Sequence, residues 1–204
     1  MPSPAPDNLP PRIALVVSRY NRRITDALER SALDAYGEIF ATTDAAARAH
    51  IVIVDAAGSF ELIALAARLA RDSFRGIVAL GCIIKGETLH DEVLAHAVTG
   101  GLAQIAARRA IPIGLGVLTV NSIAQAEARA GLGASPLGNK GAEAMQAVLH
   151  AIAQMDRLNE IESMHLHSPV SPRAPEEHNH PALTAPAREF SFTDKSSPAR
   201  RVTP

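Results

Sequence analysis

Gly76-Ile77-Val78-Ala79-Leu80-Gly81-Cys82-Ile83-Ile84-Lys85-Gly86-Glu87-Thr88-Leu89-His90 decides the fold of this chain. An apolar run from Gly76 to Ile84 ends in a short polar loop with a glycine, and a helical pattern starts at His90. The run reads as a buried strand that delivers a loop and a helix start to one point. Open α/β sheets hold their ligands at such strand–loop–helix junctions. The loop offers backbone N–H groups and the Thr88 hydroxyl to an anion. His90 adds a group that moves protons near neutral pH. The stretch therefore predicts chemistry on a small anionic substrate.

Outward from this stretch the same alternation repeats. Towards the N-terminus, Arg12 to Val17 and Ile51 to Val54 read as strands. Between them Ile24, Leu28, Ala32, Tyr36 and Ile39 recur at helical spacing, which predicts a helix from Arg22 to about Phe40. Phe60 to about Arg71 reads as a helix with Phe60, Ile63 and Ala67 on one face. Towards the C-terminus, His90 to about Arg109 carries Leu94, Val98, Leu102 and Ile105 on one side, and Pro112 to Val120 is a fourth strand. Asn121 or Ser122 can cap the next helix and Gly131 can end it. A last helix from Asn139 turns Met145, Val148, Leu149 and Ile152 inward. The order β-α-β-α-β-α-β-α-α predicts an α/β domain with a four-stranded parallel sheet, and right-handed crossovers make it a three-layer αβα sandwich.

Composition agrees and narrows the function classes. Hydrophobic residues are 47% and aromatic residues 3%, with no Trp, so the core is aliphatic, as suits a parallel sheet covered by helices. A net charge of −1 favours neither nucleic acid nor an anionic membrane. One Cys excludes an internal disulfide framework and fits a reducing compartment. No apolar run approaches the roughly 18–20 residues of a membrane span, and the Pro-rich start lacks the apolar core of a signal peptide. A cytoplasmic protein is expected. Residues 1–11 read as a flexible arm, residues 12–155 as the domain, and residues 156–204 as a disordered tail rich in Pro, Ser, Arg and His. The tail histidines His165, His167, His178 and His180 have no fixed frame to make a metal site.

Several motifs now agree. Ser18-Arg19-Tyr20-Asn21 follows the first strand, Ala57-Gly58-Ser59-Phe60-Glu61-Leu62 the second, and Gly81 to His90 the third. Gly116-Val117-Leu118-Thr119 ends the fourth, while Ala128-Arg129-Ala130-Gly131 and Gly138-Asn139-Lys140-Gly141 bracket the last loop. In this order they closely resemble the 6,7-dimethyl-8-ribityllumazine synthase family over about residues 12–154. The resemblance implies a flavodoxin-like subunit assembled into pentamers, with active sites between neighbouring subunits. It implies a transferase of riboflavin biosynthesis that condenses 5-amino-6-(D-ribitylamino)uracil with 3,4-dihydroxy-2-butanone 4-phosphate, releasing phosphate and water. No cofactor or metal is implied.

The same resemblance suggests residue roles. His90 matches the catalytic histidine, with Glu92 where an acid can orient the imidazole. Asp91 departs from the family, which usually has an aromatic there. Arg129 matches the arginine that grips the substrate phosphate, for which a forked, permanently charged guanidinium is suited. Gly86, Glu87 and Thr88 match the loop that completes the phosphate site, and Lys140 a lysine that closes it. Tyr20 stands for the aromatic that stacks on the pyrimidine, and Asn21 either touches substrate or caps the first helix. Gly58, Ser59, Phe60 and Glu61 match the loop that holds the ribityl chain, although Phe60 also fits the core. Ile83 and Ile84 place main-chain groups against the pyrimidine edge. Leu115 replaces a frequent Phe that lines the site from the adjacent subunit. Cys82, inside an apolar strand, reads as a small buried residue rather than a nucleophile.

The loop Leu132 to Leu137 is longer than in shell-forming relatives and resembles the pentamer-only members. A flavin- or lumazine-binding protein on the same scaffold would lack His90 or Arg129, and both are present. A riboflavin synthase of the same fold would have no use for Arg129.

Overall fold

The computed structural model describes residues 10–40, 49–133 and 137–166, with backbone alone at 165 and 166. Strands β1 (Ile13–Ser18), β2 (Ile51–Ala56), β3 (Gly76–Ile84) and β4 (Ile113–Val120) form one parallel sheet in the order β2-β1-β3-β4. Ile13 pairs with Ile51 on one side and Gly76 on the other, and Ile77 pairs with Ile113. The helices are α1 (Arg22–Phe40), α2 (Glu61–Leu69), α3 (His90–Arg109), α4 (Ile123–Arg129) and α5 (Lys140–Leu166).

Side-chain alternation along the strands divides the core in two. Ile13, Leu15, Val17, Val78, Leu80 and Cys82 face one way and pack with α1 and α5, through Leu28, Tyr36, Met145 and Val148. Ala14, Val16, Ile77 and Ala79 face the other way, onto Leu62 and Ala66 of α2 and Val98 and Leu102 of α3. This is the expected three-layer αβα sandwich. β1 and β3 are buried along almost their whole length because helices cover both of their faces. Tyr36 is fully buried; its hydroxyl donates to the Pro11 carbonyl at 2.9 Å, and burial pushes its pKa up to about 12.

Local chemistry sets the boundaries. Ser122 caps α4, its hydroxyl accepting from Gln125 N–H at 3.3 Å, while Gln125 Oε1 accepts from Asn121 N–H at 2.8 Å. Gly131 follows α4 with φ +72°, a conformation that a Cβ would strain. At the start of α5, Gly141 lets the helix press on α1: a Cβ there would lie 2.0 Å from the Leu28 carbonyl oxygen.

Two expectations change. The inward face of α2 is Leu62 and Ala66, not Phe60 and Ala67; Phe60 precedes the helix and is 58% exposed, so it is not core. The β2–α2 connection sets the phase of the helix, and helical spacing alone does not supply it. Second, α5 runs to Leu166, beyond the end expected near residue 155. Its last turns contain helix-forming residues with no Pro or Gly, and Asp156 accepts from Arg75 at 2.5 Å. The arm to residue 9, the loop residues 134–136, and the tail from residue 167, with His167, His178 and His180, lie outside the described residues. No helix among the described residues is long and apolar enough to cross a membrane.

Candidate active site

The chain winds from β1 out to β2 and then back past β1 to β3, so the crevice between the C-terminal ends of β1 and β3 is the topological switch point of the sheet. A cavity of about 840 Å³ opens there. Its walls come from each segment that leaves a strand end: Tyr20 and Asn21 after β1; Gly58, Ser59, Phe60 and Glu61 after β2; Ile83, Ile84, Gly86, Thr88 and His90 after β3. Eleven expected site residues thus converge on one space, although they lie up to 70 positions apart in the chain, Tyr20 to His90.

Hydrogen bonds hold this rim in shape. Asn21 Nδ2 donates to the Cys82 carbonyl at 2.8 Å, bridging the switch point from the β1 side to β3. The Asn21 carbonyl accepts from the Ile24 and Thr25 N–H groups, so its backbone starts α1 while its side chain serves the crevice. Glu61 Oε2 accepts from Gly58 N–H at 2.9 Å and closes the β2–α2 loop. Beyond β3, Lys85 N–H donates to the Val120 carbonyl at 2.8 Å, tying the loop to the end of β4. His90 N–H donates to Thr88 Oγ1 at 3.3 Å, and Gly86 N–H donates to Asp91 Oδ1 at 3.2 Å.

The rim carries an 80% exposed Tyr20 and an exposed Phe60, whereas Ser59 is buried. An open aromatic face beside main-chain groups and a carboxylate suits a flat heterocycle with a hydroxylated side chain. Cys82 lies at the floor, 3% exposed, and burial pushes its thiol up to about 11. It is protonated near neutral pH, which disfavours a nucleophilic role. Glu87 and Glu92 are exposed and stand outside the cavity lining.

Leu115, Arg129 and Lys140 do not join this cavity. They line a second one, of about 710 Å³, along the outer side of β4 with α4 and the start of α5. β4 is the edge of the sheet, and Leu115 is 48% exposed on it. Arg129 ends α4, which Arg23 of α1 holds through a 2.7 Å ion pair with Glu127. The Lys140 ammonium pairs with Glu143 one turn along α5. Asn139 fixes the approach to α5, donating to the Ala130 carbonyl at 2.7 Å and accepting from Gly141 N–H at 2.8 Å. One chain therefore holds the histidine and the two cations in separate places.

The sequence reading missed Val93 and Ala97, which line the first cavity three and seven residues after His90 on α3. Their signal was available, since those spacings return to one helix face. In the sequence Asp91 stands out only as a departure from the usual aromatic; its bond to Gly86 makes it part of the loop.

A parallel sheet with this strand order and a switch-point cavity that carries a histidine defines a flavodoxin-like α/β enzyme domain. The family model for 6,7-dimethyl-8-ribityllumazine synthase matches residues 10–156. The chain is 39% identical to 6,7-dimethyl-8-ribityllumazine synthase 1 of Caulobacter vibrioides over 158 residues, covering 76% of this chain and 96% of that protein. It is 42% identical over 139 residues to the 6,7-dimethyl-8-ribityllumazine synthase of Corynebacterium kroppenstedtii, covering 68% and 81%. For that of Nitratidesulfovibrio vulgaris the figures are 38% over 148 residues, covering 72% and 90%. The chain belongs to the 6,7-dimethyl-8-ribityllumazine synthase family and is a transferase of riboflavin biosynthesis.

Proposed function

We propose that the protein condenses 5-amino-6-(D-ribitylamino)uracil with 3,4-dihydroxy-2-butanone 4-phosphate in a site shared by two copies of the chain. The observation that carries this reading is the separation of the two cavities. His90 and the aromatic rim lie in one, Arg129 and Lys140 in the other. The first supplies the histidine and, with Lys85, the Gly86–Thr88 loop; the second adds the guanidinium of Arg129 and a further lysine. A neighbouring copy that brings its β4 edge to the switch point completes the site with Leu115, Arg129 and Lys140. A ring of five such contacts is a closed heterologous assembly, and the long Leu132–Leu137 loop, whose residues 134–136 lie outside the described residues, favours a free pentamer.

In this site Tyr20 stacks on the pyrimidine and the main chain at Ile83 and Ile84 meets its edge. Asn21 frames that pocket. The Gly58–Glu61 loop receives the ribityl hydroxyls; Glu61 keeps carboxylate lone pairs beyond the one given to Gly58. The Gly86–Thr88 loop and Arg129 take the phosphate. The substrates already carry the amine and the ketone, so holding them adjacent supplies much of the acceleration. His90 moves protons as the imine forms, phosphate leaves and the ring closes. The domain starts near residue 12 and includes α5 to Leu166, and the reaction takes place in the cytoplasm, where a single buried Cys and a biosynthetic role both fit.

Fluorescence of the lumazine product tests the reading directly. Turnover by the wild type that falls in both His90→Ala and Arg129→Ala is expected. Tight lumazine binding without turnover above the uncatalysed condensation would replace it with a binding function.

A further inference from the structure

The loop between β3 and α3 already gives one of its donors to an anion of its own chain. Gly86 N–H donates to Asp91 Oδ1 at 3.2 Å, and a Cβ placed on Gly86 would meet only that same oxygen, at 3.8 Å. The carboxylate is thus what faces the Gly86 backbone. Asp91 is half-buried in the first turn of α3 and lines the cavity together with His90 and Thr88. A second hydrogen bond, from His90 N–H to Thr88 Oγ1, closes the same short segment. The loop is therefore folded around a fixed negative charge at the place where backbone donors and a helix start would receive a negative ligand.

We propose that Asp91 is an internal competitor for phosphate, holding the Gly86 N–H in the empty site and weakening the grip of the loop on the phosphate-bearing substrate and on released phosphate. The inference rests on the reading of Gly86–Thr88 as the phosphate end of the site. One N–H cannot serve both anions at full strength, and two like charges at close quarters repel. Asp91 acts through Gly86 and by its field, so it is a positioning residue that sets affinity.

Two substitutions separate charge from scaffold. Asp91→Asn keeps an acceptor for Gly86 N–H and removes the charge, whereas Asp91→Ala removes both. The probe is inorganic phosphate, measured as a competitor of the phosphate-bearing substrate on the assembled full-length protein. Phosphate is expected to compete several-fold more tightly in both variants, with a matching fall in KM and a smaller change in kcat. If Asp91→Asn matches the wild type while Asp91→Ala binds phosphate more weakly, Asp91 is only a loop scaffold and the inference is overturned. Unchanged affinity in both variants overturns it too. Arg129→Ala distinguishes the two levels of the argument. Phosphate that does not compete with substrate, or competes equally with and without Arg129, removes the site reading and this inference with it. Phosphate that depends on Arg129 but ignores Asp91 removes this inference alone.

Discussion

The larger cavity takes its walls from three strand ends and α3, whereas the smaller runs along one edge strand and borrows the end of α4 and the start of α5. The larger gathers the exposed aromatics, the carboxylates and the histidine; the smaller has Arg129 and Lys140 beside an apolar wall that includes Leu115. The difference follows from topology. The switch point lies between β1 and β3, so segments leaving β1, β2 and β3 converge on it, while β4 closes the sheet and points its outer side away. This chain sets Arg129 and His90 in different cavities, and the proposed shared site predicts that neither cavity works alone.

The largest effects break one cavity at a time. His90→Ala should lower kcat by about 10²–10⁴-fold, the usual worth of a positioned acid–base group. Arg129→Ala should cost about 10²-fold or more, as removal of a donor to developing negative charge does, with part of the loss in KM for the phosphate-bearing substrate. Mixing is the sharper test. When the two inactive variants are dissociated, combined in equal amounts and reassembled, half the sites draw an intact histidine and half an intact arginine, so about a quarter are whole. Activity near that level is expected from the mixture, and a mixture as inactive as its components would place both residues in one subunit's site.

Next in size is the frame under the smaller cavity. Gly141→Ala drives a Cβ into the Leu28 carbonyl, and α5 must shift away from α1. A loss of about 3 kcal/mol is expected, at the upper end for overpacking, read from the urea midpoint. Lys140 lies next to Gly141, so substrate affinity should fall with it. The larger cavity has its own cross-tie. Asn21→Leu removes the donor to the Cys82 carbonyl and should cost about 1–3 kcal/mol by leaving that group unpaired. A loss of activity larger than the loss of stability would show that the bridge sets the width of the crevice.

How far the sequence reaches differs between the two cavities. β3 was legible because an uninterrupted apolar run has one comfortable place, the middle of a covered sheet. α1 was legible because Ile24, Leu28, Ala32 and Tyr36 repeat at helical spacing and all four are buried. The convergence of Tyr20, Glu61 and His90 followed once strand–loop–helix units were recognised, since each residue sits just past a strand. Phe60 had two readings, ribityl loop and helix core, and only the first fits, because one residue's shift in where a helix starts moves an aromatic from core to rim. The end of α5 escaped because its last turns are mostly exposed, so burial leaves little periodic trace there. The Gly86–Asp91 bond escaped because it depends on the path of a loop, which spacing does not encode. That Arg129 stands in a cavity apart from His90 depends on strand order, which residue spacing does not encode.

The smallest effect is expected at Cys82, and it bears on what kind of chemistry the larger cavity holds. The thiol lies at the floor of that cavity, close enough to the rim to invite a covalent mechanism. Its surroundings argue the other way. It is buried in β3 among aliphatic side chains, and that burial holds its pKa at about 11, so near pH 7–8 the nucleophilic thiolate is scarce. The condensation needs no attack by the enzyme, because amine and ketone come with the substrates. Cys82→Ala should therefore change kcat by less than about threefold, while the small void lowers stability by about 1 kcal/mol. The native thiol should also resist alkylation at pH 8 and react once the chain is unfolded in urea. Loss of turnover far beyond the loss of stability, or fast labelling of the folded protein, would mean that the floor of the cavity takes part in bond making. The two cavities would then differ in reaction type as well as in charge.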